Sequence, residues 1–123
     1  MLTSIADGLA ILVGVAIIAI GVRFVVAPRV AAIGYGVPAK EDGDAAYLTV
    51  KGVRDIVYGL IDVTLVAFAG HLAAGLFMLV VALVPLGDAV IVLRNGGTRA
   101  TAFGVHFATA VVILVDAALL LSI

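Results

Sequence analysis

The chain has 123 residues, of which 65% are hydrophobic and 12% are charged. Ordinary soluble domains are about 45–50% apolar and about 25% charged. One soluble core cannot bury this excess of apolar residues, so the composition indicates a lipid bilayer as the solvent, and the length leaves no room for a second domain. The net charge of -1 and the lack of a basic run argue against a nucleic-acid partner. Without cysteine the chain has no disulfides and no thiolate chemistry.

Four apolar stretches are each long enough to cross a bilayer as a helix, which takes about 20 residues. The first follows an N-terminus without a basic region and is too long for a signal peptide, so we expect it to be a retained span. The predicted spans cover residues 5–27, 47–69, 72–93 and 100–121, with residues 28–46 as a polar loop. The sequence therefore predicts an all-α integral membrane four-helix bundle, up-down-up-down, forming a single transmembrane domain over residues 1–123.

Turn-forming residues mark the ends of these spans. Pro28 ends the first, and a short interfacial helix is predicted over Arg29 to Gly34 in the loop that follows. Gly70 and His71 give the only break in the long apolar region after the loop. Asn95-Gly-Gly stops the third span, and Thr98 is placed to cap the fourth.

Lysine and arginine are concentrated beside two of the three connections. These residues are Arg23, Arg29, Lys40, Lys51, Arg54, Arg94 and Arg99. Because cytoplasmic loops of membrane proteins are enriched in Lys and Arg, we expect both of these connections in the cytoplasm and both termini on the outer face. The chain is then a multi-pass protein of the cell membrane. The one-sided bias argues against a dual-topology dimer, and a homo-oligomer is left open.

The second predicted span carries a stripe of polar residues. Its members are Lys51, Arg54, Asp55, Tyr58 and Asp62. At about 100° per residue they fall within one arc of about 100° on the helix. An ionisable residue inside a span costs about 2.5–3.5 kcal/mol on insertion scales, so this face is expected to lie against protein or water.

The other spans place polar residues at the same depth, and a site is predicted on the cytoplasmic side. Asp55, Asp88 and His106 are the candidate catalytic residues, because imidazole and a desolvated carboxylate suit acid–base work near neutral pH. Arg23, Arg54 and Tyr58 are the candidate substrate-binding residues, since cations orient an anionic group. No metal is predicted, because no ligand spacing supports one and the arginines would oppose a cation. The structural alternative is that Arg23 and Arg54 form buried ion pairs with Asp55 and Asp88 that fix the helices.

Three functions are compatible with these residues. The first is binding of a small lipophilic or anionic molecule, with isomerase- or hydratase-like chemistry and no redox cofactor, since no cofactor motif is present. The second is an oligomeric proton-coupled transporter or channel that uses Asp55, Asp62 and Asp116 as a proton path. The third is an accessory membrane subunit held to a larger partner by its charges.

Three short motifs carry a resemblance to a known family. They are Lys51-Gly-Val-Arg-Asp55, Pro85-Leu-Gly-Asp88-Ala and Gly104-Val-His106. With these motifs the chain resembles a family of small bacterial and fungal membrane proteins known as a domain of unknown function, similar in architecture to DoxX-like four-helix proteins. The resemblance implies the four-helix fold and a polar signature of Arg54, Asp55, Asp88 and His106. It implies no activity.

Overall fold

A computed structural model describes all 123 residues and is all-α, with five helices. Helix α2 is short and lies in the predicted polar loop; the other four are long. The helices are α1 (Leu2–Val26), α2 (Pro28–Tyr35), α3 (Ala45–Thr64, continued by a π-helical turn Leu65–Ala69), α4 (His71–Arg94) and α5 (Arg99–Ser122). The order agrees with the predicted elements, including the short helix after Pro28.

Three of these helices are long and apolar enough to cross a membrane. They are α1, α4 and α5, whose most apolar windows have mean hydropathies of 2.8, 2.6 and 2.2. Large apolar side chains such as Leu12, Val80 and Phe68 are exposed on the surface of the molecule, as expected where lipid is the solvent. Helix α3 is not among the three, because it carries four charged residues, Lys51, Arg54, Asp55 and Asp62.

Glycines bring α1 and α3 into backbone contact. A Cβ atom on Gly21 would lie 2.5 Å from the Gly52 carbonyl oxygen, and one on Gly52 would lie 2.6 Å from the Gly21 carbonyl oxygen. One further pair, Gly14 and Gly59, meets in the same way seven residues away along each helix. The two helices are therefore antiparallel, and Gly14 and Gly21 of α1 pack within the molecule.

Helices α4 and α5 form a second antiparallel pair. Gly75 of α4 packs against Leu121 of α5, and Val92 packs against Ala102 in a small cluster near the other end. Most of the apolar core lies between the two helix pairs. Its buried members are Ala6, Ala10, Ala74, Met78, Val81, Ala82, Ile113, Ala117 and Leu120.

The connections lie at two opposite ends of the molecule. Residues 36–44 and 95–98 form what we call the loop end, and Met1, Gly70 and Ile123 form the termini end. Gly70 has φ 90°, a left-handed backbone that glycine adopts without strain, so it separates α3 from α4. This confirms the predicted break at Gly70 and His71.

Thr98 caps α5 as predicted, since its Oγ1 accepts a hydrogen bond of 3.1 Å from the Thr101 backbone N–H. Replacing Thr98 with alanine leaves that N–H without its side-chain partner. We expect the free energy of unfolding in detergent to fall by about 1 kcal/mol. Thr98→Ser, which keeps the hydroxyl, should remain near wild type in the same thermal unfolding series; equal losses in both variants would contradict the cap.

Candidate functional site

A cavity of about 270 Å³ lies near the loop end, between α1, α2, α3, α4 and α5. Ten of its 18 lining residues are hydrophobic when its two tyrosines are included, and Ile17, Val84 and Ile113 are among them. The cavity is also lined by polar side chains, although most of the protein is hydrophobic. They are Arg23, Tyr35, Lys51, Asp55, Tyr58, Asp88, His106 and Thr109. The cavity thus combines apolar walls with a few converging polar groups, the usual composition of a small-molecule site.

Five of the six predicted site residues line this cavity. They are Arg23, Asp55, Tyr58, Asp88 and His106, contributed by four different helices. The sixth, Arg54, does not line it and has an exposed side chain. The helical geometry explains the difference, because Arg54 is at the edge of the polar stripe, about 100° around the helix from Asp55.

Lys51, and not Arg54, is the cation that α3 contributes to the cavity. Its ammonium nitrogen is 2.5 Å from Asp55 Oδ2, one helical turn away on the same face. The same nitrogen lies over two aromatic rings, 4.3 Å from the centre of Phe24 and 4.9 Å from the centre of Tyr35. These contacts hold the cation at the cavity wall. The four-residue spacing of Lys51 and Asp55 was a signal for this pair in the sequence.

The imidazole of His106 is buried and has a defined hydrogen-bonding pattern. Its Nε2 lies 2.7 Å from the backbone carbonyl oxygen of Tyr35. A carbonyl oxygen only accepts hydrogen bonds, so Nε2 must carry the proton. The neutral ring then has its lone pair on Nδ1, which lies 3.9 Å from Asp88 Oδ2. That separation is too long for a direct hydrogen bond.

Helix α2 covers one side of the cavity through Tyr35. Its ring packs edge-on against His106, with ring centres 4.4 Å apart, and against Phe24 at 6.0 Å. Burial, and then the nearby Asp88 carboxylate, raise the pKa of the Tyr35 hydroxyl well above its usual range. Tyr35 therefore stays a neutral donor at any physiological pH.

Tyr35 was absent from the residues predicted for the site. Its position depends on the end of α2, where Gly36 adopts φ 104° and its N–H bonds back to the carbonyl of Ala32. Gly36 also contacts Thr101 of α5, and Gly97 lies against the Gly36 carbonyl. These contacts join segments about 60 residues apart in the chain, and no local pattern in the sequence indicates them.

A π-helical segment, Ala102–Phe107, carries His106. The wider π-helical turn changes the direction of the side chains that follow, and such segments are often found at functional sites. A hydrogen bond of the Thr109 hydroxyl to the Val105 carbonyl, 2.6 Å long, occupies one of the backbone acceptors there. The backbone of α5 is thus irregular where its imidazole enters the cavity.

The ion pairs expected under the structural alternative are not present. No arginine lies within 4.0 Å of a carboxylate, and the three pairs that form are Lys51–Asp55, His71–Asp7 and His106–Asp88. Arg23 lies at the cavity without a carboxylate partner, and its charge is free to act on another group. No group of three or more His, Asp or Glu side chains is arranged to hold a metal ion.

The comparison with family models gives one match. The model described as "Domain of unknown function (DUF4267)" matches residues 14–120. The chain belongs to the DUF4267 family. The match includes every residue that lines the cavity and reaches into all four long helices, but it omits the first half of α1. No curated protein and no solved structure is detectably similar to this DUF4267 chain.

Proposed function

We propose that this DUF4267 protein binds a small lipophilic molecule with one anionic group in its cavity and carries out acid–base chemistry on it. The observation that supports this most is the cavity itself, where apolar walls adjoin Arg23, Lys51 and a histidine–aspartate pair. The apolar walls suit a hydrocarbon part, and the cations suit a carboxylate, an enolate or another oxyanion.

The proposal includes a membrane topology. Helices α1, α4 and α5 are the three apolar spans. Helix α3 is the fourth, with Lys51, Asp55 and Asp62 turned to the interior and its apolar face to lipid. The loop end, which holds Lys40 and adjoins Arg94 and Arg99, faces the cytoplasm. The protein is then a four-helix bundle of the cell membrane with both termini outside. The similarity to DoxX-like proteins stays a prediction.

His106 and Asp88 are the acid–base pair in this proposal. Asp55 is neutralised by Lys51, whereas Asp88 faces the free Nδ1 of His106 across 3.9 Å. A proton removed from a bound molecule by Nδ1 leaves an imidazolium, which the Asp88 carboxylate stabilises. Returning that proton at another atom of the same molecule completes an isomerisation, and adding water across a double bond gives a hydratase.

The roles of the other polar residues follow from their contacts. Lys51 and Arg23 would bind the anionic group and stabilise negative charge that develops on it. Tyr58 and the neutral hydroxyl of Tyr35 would donate hydrogen bonds to oxygen atoms. None of these steps uses a redox cofactor, and the proposal names none.

Mass spectrometry of the purified protein tests the binding part of the proposal. Native lipid and metabolite analysis of wild type is expected to show a small amphiphilic molecule that Lys51→Met and Arg23→Ala lose. A charge-assisted contact is worth about 1.5–3 kcal/mol, so each variant should bind roughly 10–100-fold more weakly.

Arg54→Ala is the matched control for this experiment. It removes a cation from the same helix, but from a side chain outside the cavity, so ligand occupancy should stay at the wild-type level. The proposal is wrong if Arg54→Ala loses the ligand while Lys51→Met, folded and monodisperse, keeps it. It is also wrong if wild type carries no ligand and no added amphiphilic anion binds.

A further inference from the structure

Two carboxyl groups that take no part in the cavity are buried near the termini end. Asp62 of α3 is 2% exposed and Asp116 of α5 is completely buried. All four of their carboxyl oxygens are without a hydrogen-bond partner, and no cation lies within 4.0 Å of either. Neither residue lines the cavity. They are the only buried side chains of the molecule whose polar atoms have no partner.

Energetics decide the charge state of these groups. Burying one unpaired ionised carboxylate costs several kcal/mol even after the surroundings relax. A neutral carboxyl without a partner costs about 1–3 kcal/mol. The lower cost belongs to the protonated form. Burial without a hydrogen-bond partner therefore favours the protonated form of both side chains.

The surroundings of Asp62 accommodate a carboxyl group without supplying a charge. Gly14 of α1 lies opposite, and a Cβ atom there would be 2.8 Å from Asp62 Oδ2. A metal cation is a poor fit, since Ca²⁺ takes 6–8 oxygen ligands and no third acidic or imidazole side chain joins the pair. The ligand that matches two isolated carboxyls is a proton.

A connection to the surface is present at the termini end. Asp7 Oδ1 of α1 lies 2.9 Å from His71 Nε2 of α4, within hydrogen-bonding distance. Both side chains are about one third exposed. Asp7 is close enough to Asp116, and Asp116 to Asp62, for an electrostatic interaction between their side chains. The titratable groups thus form a series from a surface pair inward: His71, Asp7, Asp116 and Asp62.

We propose that Asp62 and Asp116 form a proton-binding site inside the membrane, which exchanges protons with the solvent at the termini end through Asp7 and His71. The site is separate from the cavity and does not depend on the function proposed for it. Asp7 and His71 are the titratable groups that face it from α1 and α4, and no lysine or arginine lies at this end of the molecule.

Labelling with dicyclohexylcarbodiimide tests the site, because this apolar reagent adds to protonated carboxyls within membranes. We expect the purified protein in detergent to be modified at Asp62 or Asp116, as located by peptide mass spectrometry. Above the titration midpoint the protonated fraction, and with it the rate of labelling, should fall about tenfold for each pH unit. The double variant Asp62→Asn with Asp116→Asn should lose the label, and Asp42→Asn, which changes an exposed loop carboxyl, should keep it.

An infrared titration of wild-type protein gives a second readout that needs no variant to fold. With ¹³C-labelled aspartate, the carbonyl band of protonated carboxyl groups should be present at neutral pH and disappear reversibly as the pH rises. No such band at neutral pH would overturn the proposal. A band that stays constant while the pH rises and the protein remains folded would also overturn it, because the protons would then not exchange with the surroundings.

Discussion

Gly21→Ala is expected to separate α1 from α3 and to lower the free energy of unfolding by about 1–3 kcal/mol, the usual cost of overpacking a close contact. The added Cβ atom would lie 2.5 Å from the Gly52 carbonyl oxygen and 2.8 Å from the Ile56 backbone nitrogen. Backbone atoms of a helix cannot move aside as a flexible side chain can. The whole interface must widen, and both the cavity and the setting of Asp62 depend on it.

Gly8→Ala on the same helix is the matched control. A Cβ atom there meets nothing within 4 Å, so the variant should be as stable as wild type or slightly more stable, because alanine favours a helix over glycine. Unfolding of both variants in detergent, followed by the loss of helical circular dichroism, measures the difference. Equal stability of Gly21→Ala and Gly8→Ala would show that the α1–α3 contact is looser in solution than the structure has it.

The helices were predictable because their signals are local. A run of about 20 apolar residues, a glycine at the break and a threonine before the last helix each act over a few residues of sequence. Local signals of this kind do not show which helix packs against a given helix face. Gly14 and Gly21 are visible in the sequence of α1, but their pairing with Gly59 and Gly52 depends on the register of two helices.

The candidate site shows the same division. The polar stripe on α3 follows from helical periodicity, and the depth of Asp88 and His106 follows from their distance to the loops. Arg54 was assigned to the stripe because the arc of about 100° that contains these residues includes its position at one edge. At that edge the Arg54 side chain is exposed. Tyr35 could not be placed, since it meets His106 across 71 residues of sequence through a backbone carbonyl.

Helix α3 links the two polar regions of the molecule. Asp55 lines the cavity and Asp62 lies seven residues on, which is about 10 Å along the helix axis. Tyr58 lies between them, lines the cavity and packs against the apolar core. If both proposals hold, protons taken up at Asp62 are two helical turns from groups that would use them. A proton-coupled reaction or transport step would need this proximity.

His106→Ala is expected to have the largest effect on the site, because it removes both the acid–base group and the hydrogen bond that holds α2. The Tyr35 carbonyl would lose its partner at a cost of about 1–3 kcal/mol. Local opening of α2 should then be favoured by roughly 5–150-fold. Hydrogen exchange of the backbone amides over residues 31–37 measures this change directly.

His106→Gln separates the two roles of the histidine. The glutamine amide has an N–H₂ donor that can reach the Tyr35 carbonyl, but it has no basic nitrogen to take a proton. Exchange over residues 31–37 should therefore stay near wild type in His106→Gln, while any chemistry on a bound molecule is lost as completely as in His106→Ala. If instead His106→Gln keeps full activity, the imidazole serves only to position α2, and the acid–base role belongs to another group. If both variants leave the exchange unchanged, α2 is held by the contacts of Gly36 with α5 and not by the histidine.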